Sequence, residues 1–423
     1  MVRESRIDWI TLGLLLLTML LGWFNMYSVS VEEDASIINM TTHHGKQAVF
    51  ILASLGLGAL IMFLDTKFLE ITSMYIFGAS MILLAAVLFV SKVSGASSWF
   101  AIGGIKIQPT EFAKVATLMA LAKVISKHNF TFARTQDFFL AAGLVLVPMG
   151  LVLLQNDAGS AIVFAGLIFM LYREGLHPLF LLLIFLIGFV GIIAIIFSTT
   201  PLVNGYLILG LVVATAGVSV FFVMTNRTKM ILPAVGVGLF LVIIPLTINF
   251  AIKPYQSARI RVLVASEEQI QKEESLKKVN YNLEESLVAI GSGGLTGKGY
   301  RQGTHTRGEF VPEEHTDFIF CVIGEEHGFL GSSVVLILFL CLLGRIIYIS
   351  ENSKSRYARA YGYGVASIIF MHVFVNVGMT LGVLPTIGIP LPFYSKGGSS
   401  MLAFTSMVFI LMNHYSYRTN ILN

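Results

Sequence analysis

The sequence predicts an all-α, polytopic transmembrane helical bundle of about twelve spans carrying one large polar loop. Three observations carry that expectation. Only 12% of the 423 residues are charged while 56% are hydrophobic, whereas a soluble domain has about a quarter charged. The apolar residues arrive in long blocks, such as Trp9 to Trp23, Ala48 to Leu64 and Leu179 to Phe197, each approaching the ~20 residues that cross a bilayer as a helix. Lys and Arg collect on one side once the blocks are taken as alternating spans.

Taken in order, the expected spans are 9–29, 48–65, 72–92, 110–127, 137–154, 159–172, 178–198, 203–224, 230–251, 327–349, 361–384 and 398–415. Arg3, Glu4, Arg6 and Asp8 precede the first block without a small-residue cleavage site, so that block reads as a retained span rather than a removed signal. With the N-terminus inside, the inner connections hold fourteen basic residues, while the short outer ones hold only Lys46, Lys92, Lys106 and Lys396. By the positive-inside rule both termini are cytoplasmic, and the polar stretch 252–326 lies outside. The net charge of +4 is explained by those inner loops and implies no nucleic acid. Cys321 and Cys341 sit in apolar stretches and form neither a disulfide framework nor a metal motif.

Ionisable groups within such a chain cost several kcal/mol each and are functional candidates by default. Glu111 and Lys114, three apart, share a helix face and can pair; Pro109 just ahead suits a first helical turn. Asp157 lies in a polar break, Gln155 to Ser160, between two apolar blocks. Glu325 and Glu326 open the span after the large loop. Each reads either as part of a site or as a tie between helices. Gly291, Gly293, Gly294, Gly297 and Gly299 suggest a phosphate cradle, but the spacing matches neither common nucleotide motif, and a plain turn is the better explanation. Gly397-Gly398-Ser399-Ser400 opens the last span, where backbone amides can face an anion.

Four separated motifs then resemble the SEDS family (shape, elongation, division and sporulation). The first is Gly95-Ala96-Ser97-Ser98-Trp99 with Ile107 to Lys114, and the second is Gln155 to Ser160. The third runs from Ala289 through Gly299, Gly303 and Thr304 to Phe310–Phe320 and Ile323–Glu326. The fourth is Gly388 to Phe393 with Ser395 and Gly397 to Ser400. The wording of the third motif is nearer the elongation member than the division member.

The resemblance implies a ten-span core, so that the blocks within 199–251 read as an inserted helix pair in a single domain covering 1–423. It implies peptidoglycan glycosyl transfer: lipid II polymerised into glycan strands on the outer face of the bacterial cytoplasmic membrane during elongation, with release of undecaprenyl pyrophosphate. Such chemistry needs a general base for the attacking hydroxyl and positive charge, from Lys, Arg or a divalent cation (Mg or Mn), at the leaving pyrophosphate. Substrate contacts are expected from Trp99, Glu111, Lys114, Asp157, Arg259, Lys298, Ser399 and Ser400. The implied partners are a class B penicillin-binding protein, morphogenesis proteins of the elongation complex and membrane lipids.

The chain departs from the pattern where the base belongs. The family's aspartate would lie six residues before Tyr281, and Ser275 stands there; no aspartate occurs between Asp157 and Asp317. The stretch from Arg259 to Tyr281 is also longer than usual. Glu274, Glu273 or Glu285 is expected to take the role, Glu285 standing where glutamine is usual. Ser98 replaces an arginine and Lys396 a tyrosine. Two other functions compete. One is a flippase for lipid-linked precursors, disfavoured by the lack of an evident internal repeat. The other is a catalytically weak scaffold for the transpeptidase.

Overall fold

The computed structural model describes residues 7–29, 42–90, 98–102, 105–182, 254–306, 308 and 315–416. The expected inserted pair lies outside these residues. The chain divides into two compact units, residues 1–176 with 285–381 and 387–423, and residues 177–284 with 382–386.

In the first unit, α1 (Trp9–Val29), α2 (His43–Phe63) and α3 (Thr66–Val87) are apolar helices of 21, 21 and 22 residues. Caps fix two starts: Thr42 Oγ1 accepts from Gly45 N at 3.3 Å, and Asp65 Oδ1 from Lys67 N at 2.8 Å, satisfying amides with no partner in the first turn. A short antiparallel ribbon, β1 (Phe100–Ile102) and β2 (Ile105–Ile107), then leads into α4 (Pro109–Ile125). α5 (Thr135–Leu154) follows. The single span expected over 159–172 is two short helices, α6 (Ala158–Ala165) and α7 (Ile168–Arg173).

Among the described residues six further helices follow α7. The polar stretch 252–326 is largely helical: it contains α8 (Pro254–Arg261), α9 (Glu267–Lys272), α10 (Glu274–Ser292) and the start of α11 (Ile319–Glu351). α12 (Arg356–Thr380) and α13 (Gly398–Ser416) complete the order. Among the described residues, α1, α2, α3, α5, α11 and α12 are long and apolar enough to cross a membrane. Leu52, Leu60, Phe63, Phe68, Ile71, Tyr75 and Ile82 on α2 and α3 are exposed. Such a face would aggregate in water and suits lipid. α4 and α13 are instead buried nearly throughout. α4 packs against α3, α12 and α13, and α13 against α2.

Charge ties gather one set of helix ends. Arg345 on α11 holds Asp8, ahead of α1, through Nη2 at 2.5 Å and Nε at 3.1 Å. Glu174, after α7, accepts from Arg356 at 3.4 Å and Arg359 at 3.0 Å on α12. Arg173 reaches Glu351 at 2.5 Å.

The second unit owes its helices to a capping box and an apolar stripe. Ser266 Oγ accepts from Gln269 N at 3.4 Å, and Gln269 Oε1 from Ser266 N at 3.1 Å, the reciprocal pattern that starts a helix. Ala258 on α8 and Val262 just past its end, with Leu276, Val279 and Leu283 on α10, form its buried cluster. These spacings of three and four place each set on one helix face.

Candidate active site

The glycine motif is a splice rather than a cradle. Gly328, at φ 62° and ψ −160°, breaks α11. Phe329 N and Leu330 N therefore lose the carbonyls of Glu325 and Glu326. They bond instead to Gly294 O at 2.9 Å and Leu295 O at 3.1 Å, while those two carbonyls accept from Lys298 N and Gly299 N, each at 3.0 Å. All four backbone groups freed by the break are satisfied by 294–299, as buried backbone requires. A Cβ on Gly293 would lie 2.0 Å from Gly324 O, and one on Gly297 2.1 Å from Glu326 O. Backbone approach sets these glycines.

Glu325, fully buried, organises the chain that follows. Its Oε1 accepts from Lys298 Nζ at 2.6 Å, Thr304 N at 2.8 Å, Thr304 Oγ1 at 3.2 Å and His305 N at 2.9 Å. Its Oε2 accepts from Thr306 N at 2.9 Å and Thr306 Oγ1 at 2.7 Å. Charge-assisted bonds of this kind are the strong ones. The expected substrate contact Lys298 thus has a fixed partner, with its side chain still 25% exposed.

Glu111 and Lys114 pair as expected, Nζ to Oε1 at 2.8 Å, and both are buried. Their third partner escaped the sequence: His372 of α12 places Nε2 2.8 Å from the same Nζ and Nδ1 3.0 Å from Pro390 O. Phe404 of α13 stands edge-on to His372 at 4.8 Å and under the ammonium at 5.4 Å.

Asp157 joins the first and second motifs. Its Oδ1 accepts from Ser160 N at 2.9 Å, capping α6, and its Oδ2 from Ser160 Oγ at 2.8 Å and Gln108 Nε2 at 2.9 Å. Gln108 N in turn donates to Ser399 Oγ at 3.1 Å, bringing in the fourth motif. Ser400 Oγ donates to Gly397 O at 3.0 Å. Trp99, just before β1, is half-buried.

The loop of the fourth motif is pinned on several sides. Ser395 Oγ donates to Thr316 O at 2.5 Å and accepts from Leu391 N at 2.7 Å. Asn376 Nδ2 donates to Asp317 O at 2.8 Å and Ile389 O at 2.7 Å. Lys396 Nζ lies 2.6 Å from His43 Nδ1, and the His43 and His315 rings are 4.4 Å apart. Burial, then the neighbouring His43 and Lys396, pushes the His315 imidazole down to about 4, so it is neutral at physiological pH.

The three glutamates expected as base differ in setting. Glu273, in the second unit, is held by Arg261 at 2.7 and 3.3 Å and accepts from Ser275 Oγ at 2.5 Å. The Ser275 bond and then Arg261 outweigh burial and hold this carboxyl below its ordinary value. Glu274 is exposed at the start of α10 in the same unit. Arg259, half-buried on α8, belongs there too. Glu285 lies in the first unit, its Oε2 3.5 Å from His305 Nδ1. Among the described residues no group of three His, Cys, Asp or Glu gathers that could hold a metal ion.

With this geometry in view, comparisons with known proteins agree. The family described as Cell cycle protein (FtsW, RodA, SpoVE) matches residues 8–207 and 207–420. Peptidoglycan glycosyltransferase MrdB of Escherichia coli K12 is 30% identical over 345 residues, 81% of this chain and 78% of that protein. Peptidoglycan glycosyltransferase RodA of Treponema pallidum is 30% identical over 433 residues, 93% and 94% of the two chains. Among solved structures, a chain of a peptidoglycan synthase complex that coordinates polymerization and crosslinking superposes with a TM-score of 0.69 at 25% identity, covering 99% of each chain. The rod shape determining protein RodA of Thermus thermophilus gives 0.61 at 25% identity over 97% of each.

Proposed function

The chain belongs to the FtsW/RodA/SpoVE family, and from that membership we propose that it is a peptidoglycan glycosyltransferase that polymerises lipid II. The curated relatives that match most of the chain carry that activity in their names. The observation that carries the reading is convergence: Gln108, Asp157 and Ser399, from three separated motifs, form one hydrogen-bonded chain.

In the reaction a sugar hydroxyl attacks the anomeric carbon of a second lipid-linked unit. A new glycosidic C–O bond forms, the C–O bond to the pyrophosphate breaks, and the hydroxyl proton passes to a base. Glu274, exposed and next to the vacant aspartate position, is assigned that role first and Glu285 second. Glu273, already committed to Arg261 and Ser275, is the weakest of the three, because a carboxylate held below its usual pKa is a poorer proton acceptor. Substrate contact is assigned in the first unit to Lys298, Trp99, Ser399 and Ser400 and in the second unit, taken by itself, to Arg259. Glu111 and Lys114, both buried, would act as a fixed charged pair. The excess of Lys and Arg in alternate loops supports cytoplasmic termini and a reaction at the outer face of the inner membrane. The complex to which one structural relative belongs supports a penicillin-binding transpeptidase as partner, in cell elongation.

The test is polymerisation of purified lipid II by the protein in liposomes, with and without its cognate transpeptidase, comparing wild type with Glu274→Gln, Glu285→Gln and Glu273→Gln. Glycan ladders that disappear with one substitution would identify the base. No ladder from wild type with the partner present would overturn the assignment, and lipid movement across the bilayer without bond formation would replace it with transport.

A further inference from the structure

Lys114 Nζ is fully enclosed, 2.8 Å from Glu111 Oε1 and 2.8 Å from His372 Nε2. An ammonium has three protons and no lone pair, so at this contact it can only donate. His372 Nε2 must therefore present its lone pair, which leaves the ring proton on Nδ1, 3.0 Å from the carbonyl of Pro390. One tautomer of a neutral imidazole satisfies both contacts; the other tautomer and the imidazolium would each set donor against donor at Lys114. The ring cannot rotate freely, because it is 1% exposed and Phe404 stands edge-on against it. Pro390 belongs to the pinned loop of the fourth motif, so His372 links that loop to the charged pair of the first.

We infer that His372 is a positioning residue for the glycosyl transfer: it fixes the Lys114 ammonium by accepting from it, and it ties that charge to the Gly388–Phe393 loop through Pro390. It acts through Lys114 and touches no substrate. The inference rests on the proposed activity, and the experiment separates the two.

Two substitutions divide the functions of the ring. The side-chain oxygen of His372→Gln reaches the Nε2 position and accepts from Lys114. His372→Asn is shorter; it places its amide at the Nδ1 position and donates to Pro390, but leaves Lys114 without its acceptor. A hydrogen bond to a charged group contributes enough that its loss costs roughly ten- to a hundredfold. Each variant is purified with its transpeptidase partner and assayed for kcat and KM with lipid II, alongside thermal unfolding in detergent. The expected result is a His372→Gln enzyme about tenfold or more faster than His372→Asn, with the difference mainly in kcat and similar melting temperatures. Equal rates, a faster His372→Asn enzyme, or rate losses that follow melting temperature would overturn the inference while wild-type ladders persist. If His372→Asn is not recovered as monodisperse protein, His372→Met replaces it, since it offers Lys114 no oxygen or nitrogen acceptor. Absence of ladders from wild type would count against the activity itself and remove the premise.

Discussion

Arg261 grips Glu273 at both carboxylate oxygens, Nη2 to Oε2 at 2.7 Å and Nη1 to Oε1 at 3.3 Å, and so ties the end of α8 to the start of α10 across α9. The Ser275 hydroxyl and this guanidinium hold the carboxyl below its ordinary value of 4.5. A depressed carboxyl stabilises the folded form above its unfolded pKa, and that contribution is lost as pH falls through the folded value. Protection of the 258–283 amides against hydrogen exchange, corrected for intrinsic rates, should therefore decline below about pH 4.5 in wild type. Glu273→Gln should start lower and lose less. Parallel pH profiles for the two proteins would show that the grip is not what holds these helix ends together.

Glu325 accepts six hydrogen bonds from residues 298–306. Glu325→Gln turns an NH₂ toward donors on whichever side it faces. The expected cost is about 3 kcal/mol, from lost charge-assisted bonds and one opposed donor pair. Limited proteolysis between Lys298 and Thr306 should accelerate before global unfolding. A variant that resists protease as wild type does would refute the templating role.

Two glycines of one motif should respond in opposite ways. Gly297 has φ +81° and would set a Cβ 2.1 Å from Glu326 O, whereas a Cβ on Gly291 meets nothing within 4 Å. Gly297→Ala is expected to lose about 2 kcal/mol or more through strain and backbone displacement. Gly291→Ala, in the last turns of α10, should be neutral or gain up to ~1 kcal/mol. Melting temperatures of the pair in one detergent give the comparison.

Removing one member of the buried Glu111–Lys114 pair leaves a charge without its counter-ion. Glu111→Met should cost about 3–5 kcal/mol, and adding Lys114→Met should restore a large part of it. Chemical unfolding of both proteins measures the difference. A double variant no more stable than the single would mean that Lys114 does not depend on Glu111.

Much of this architecture is written in local sequence. The apolar blocks mark the helices, Pro109 marks the first turn of α4, and the spacing of Glu111 and Lys114 alone places them together, because an (i, i+3) pair is a property of the helix. Asp157 announced itself as a carboxylate in an apolar context. His372 did not: a single histidine in an apolar helix looks like a packed core residue, and its partner is 258 positions away. Glu325 was visible as a costly carboxylate, but its acceptor role depends on backbone amides, which every residue has. The glycine cluster was legible as a need for bare backbone, and only the broken helix reveals what approaches it. The ribbon at 100–107 has strands of three residues, too short for alternation to register.

The splice at Gly328 also sets a waterline. From Phe329 to Glu351 the uninterrupted helix rises about 34 Å at 1.5 Å per residue, close to the ~30 Å of a bilayer's hydrocarbon core. On that length match, Glu325, Glu326 and the 298–306 segment would ride above the acyl chains, spared the cost of immersion. Because the glycine segment is stitched into the top of that helix by four backbone bonds, a thinner bilayer that tilted the helix would carry the segment with it.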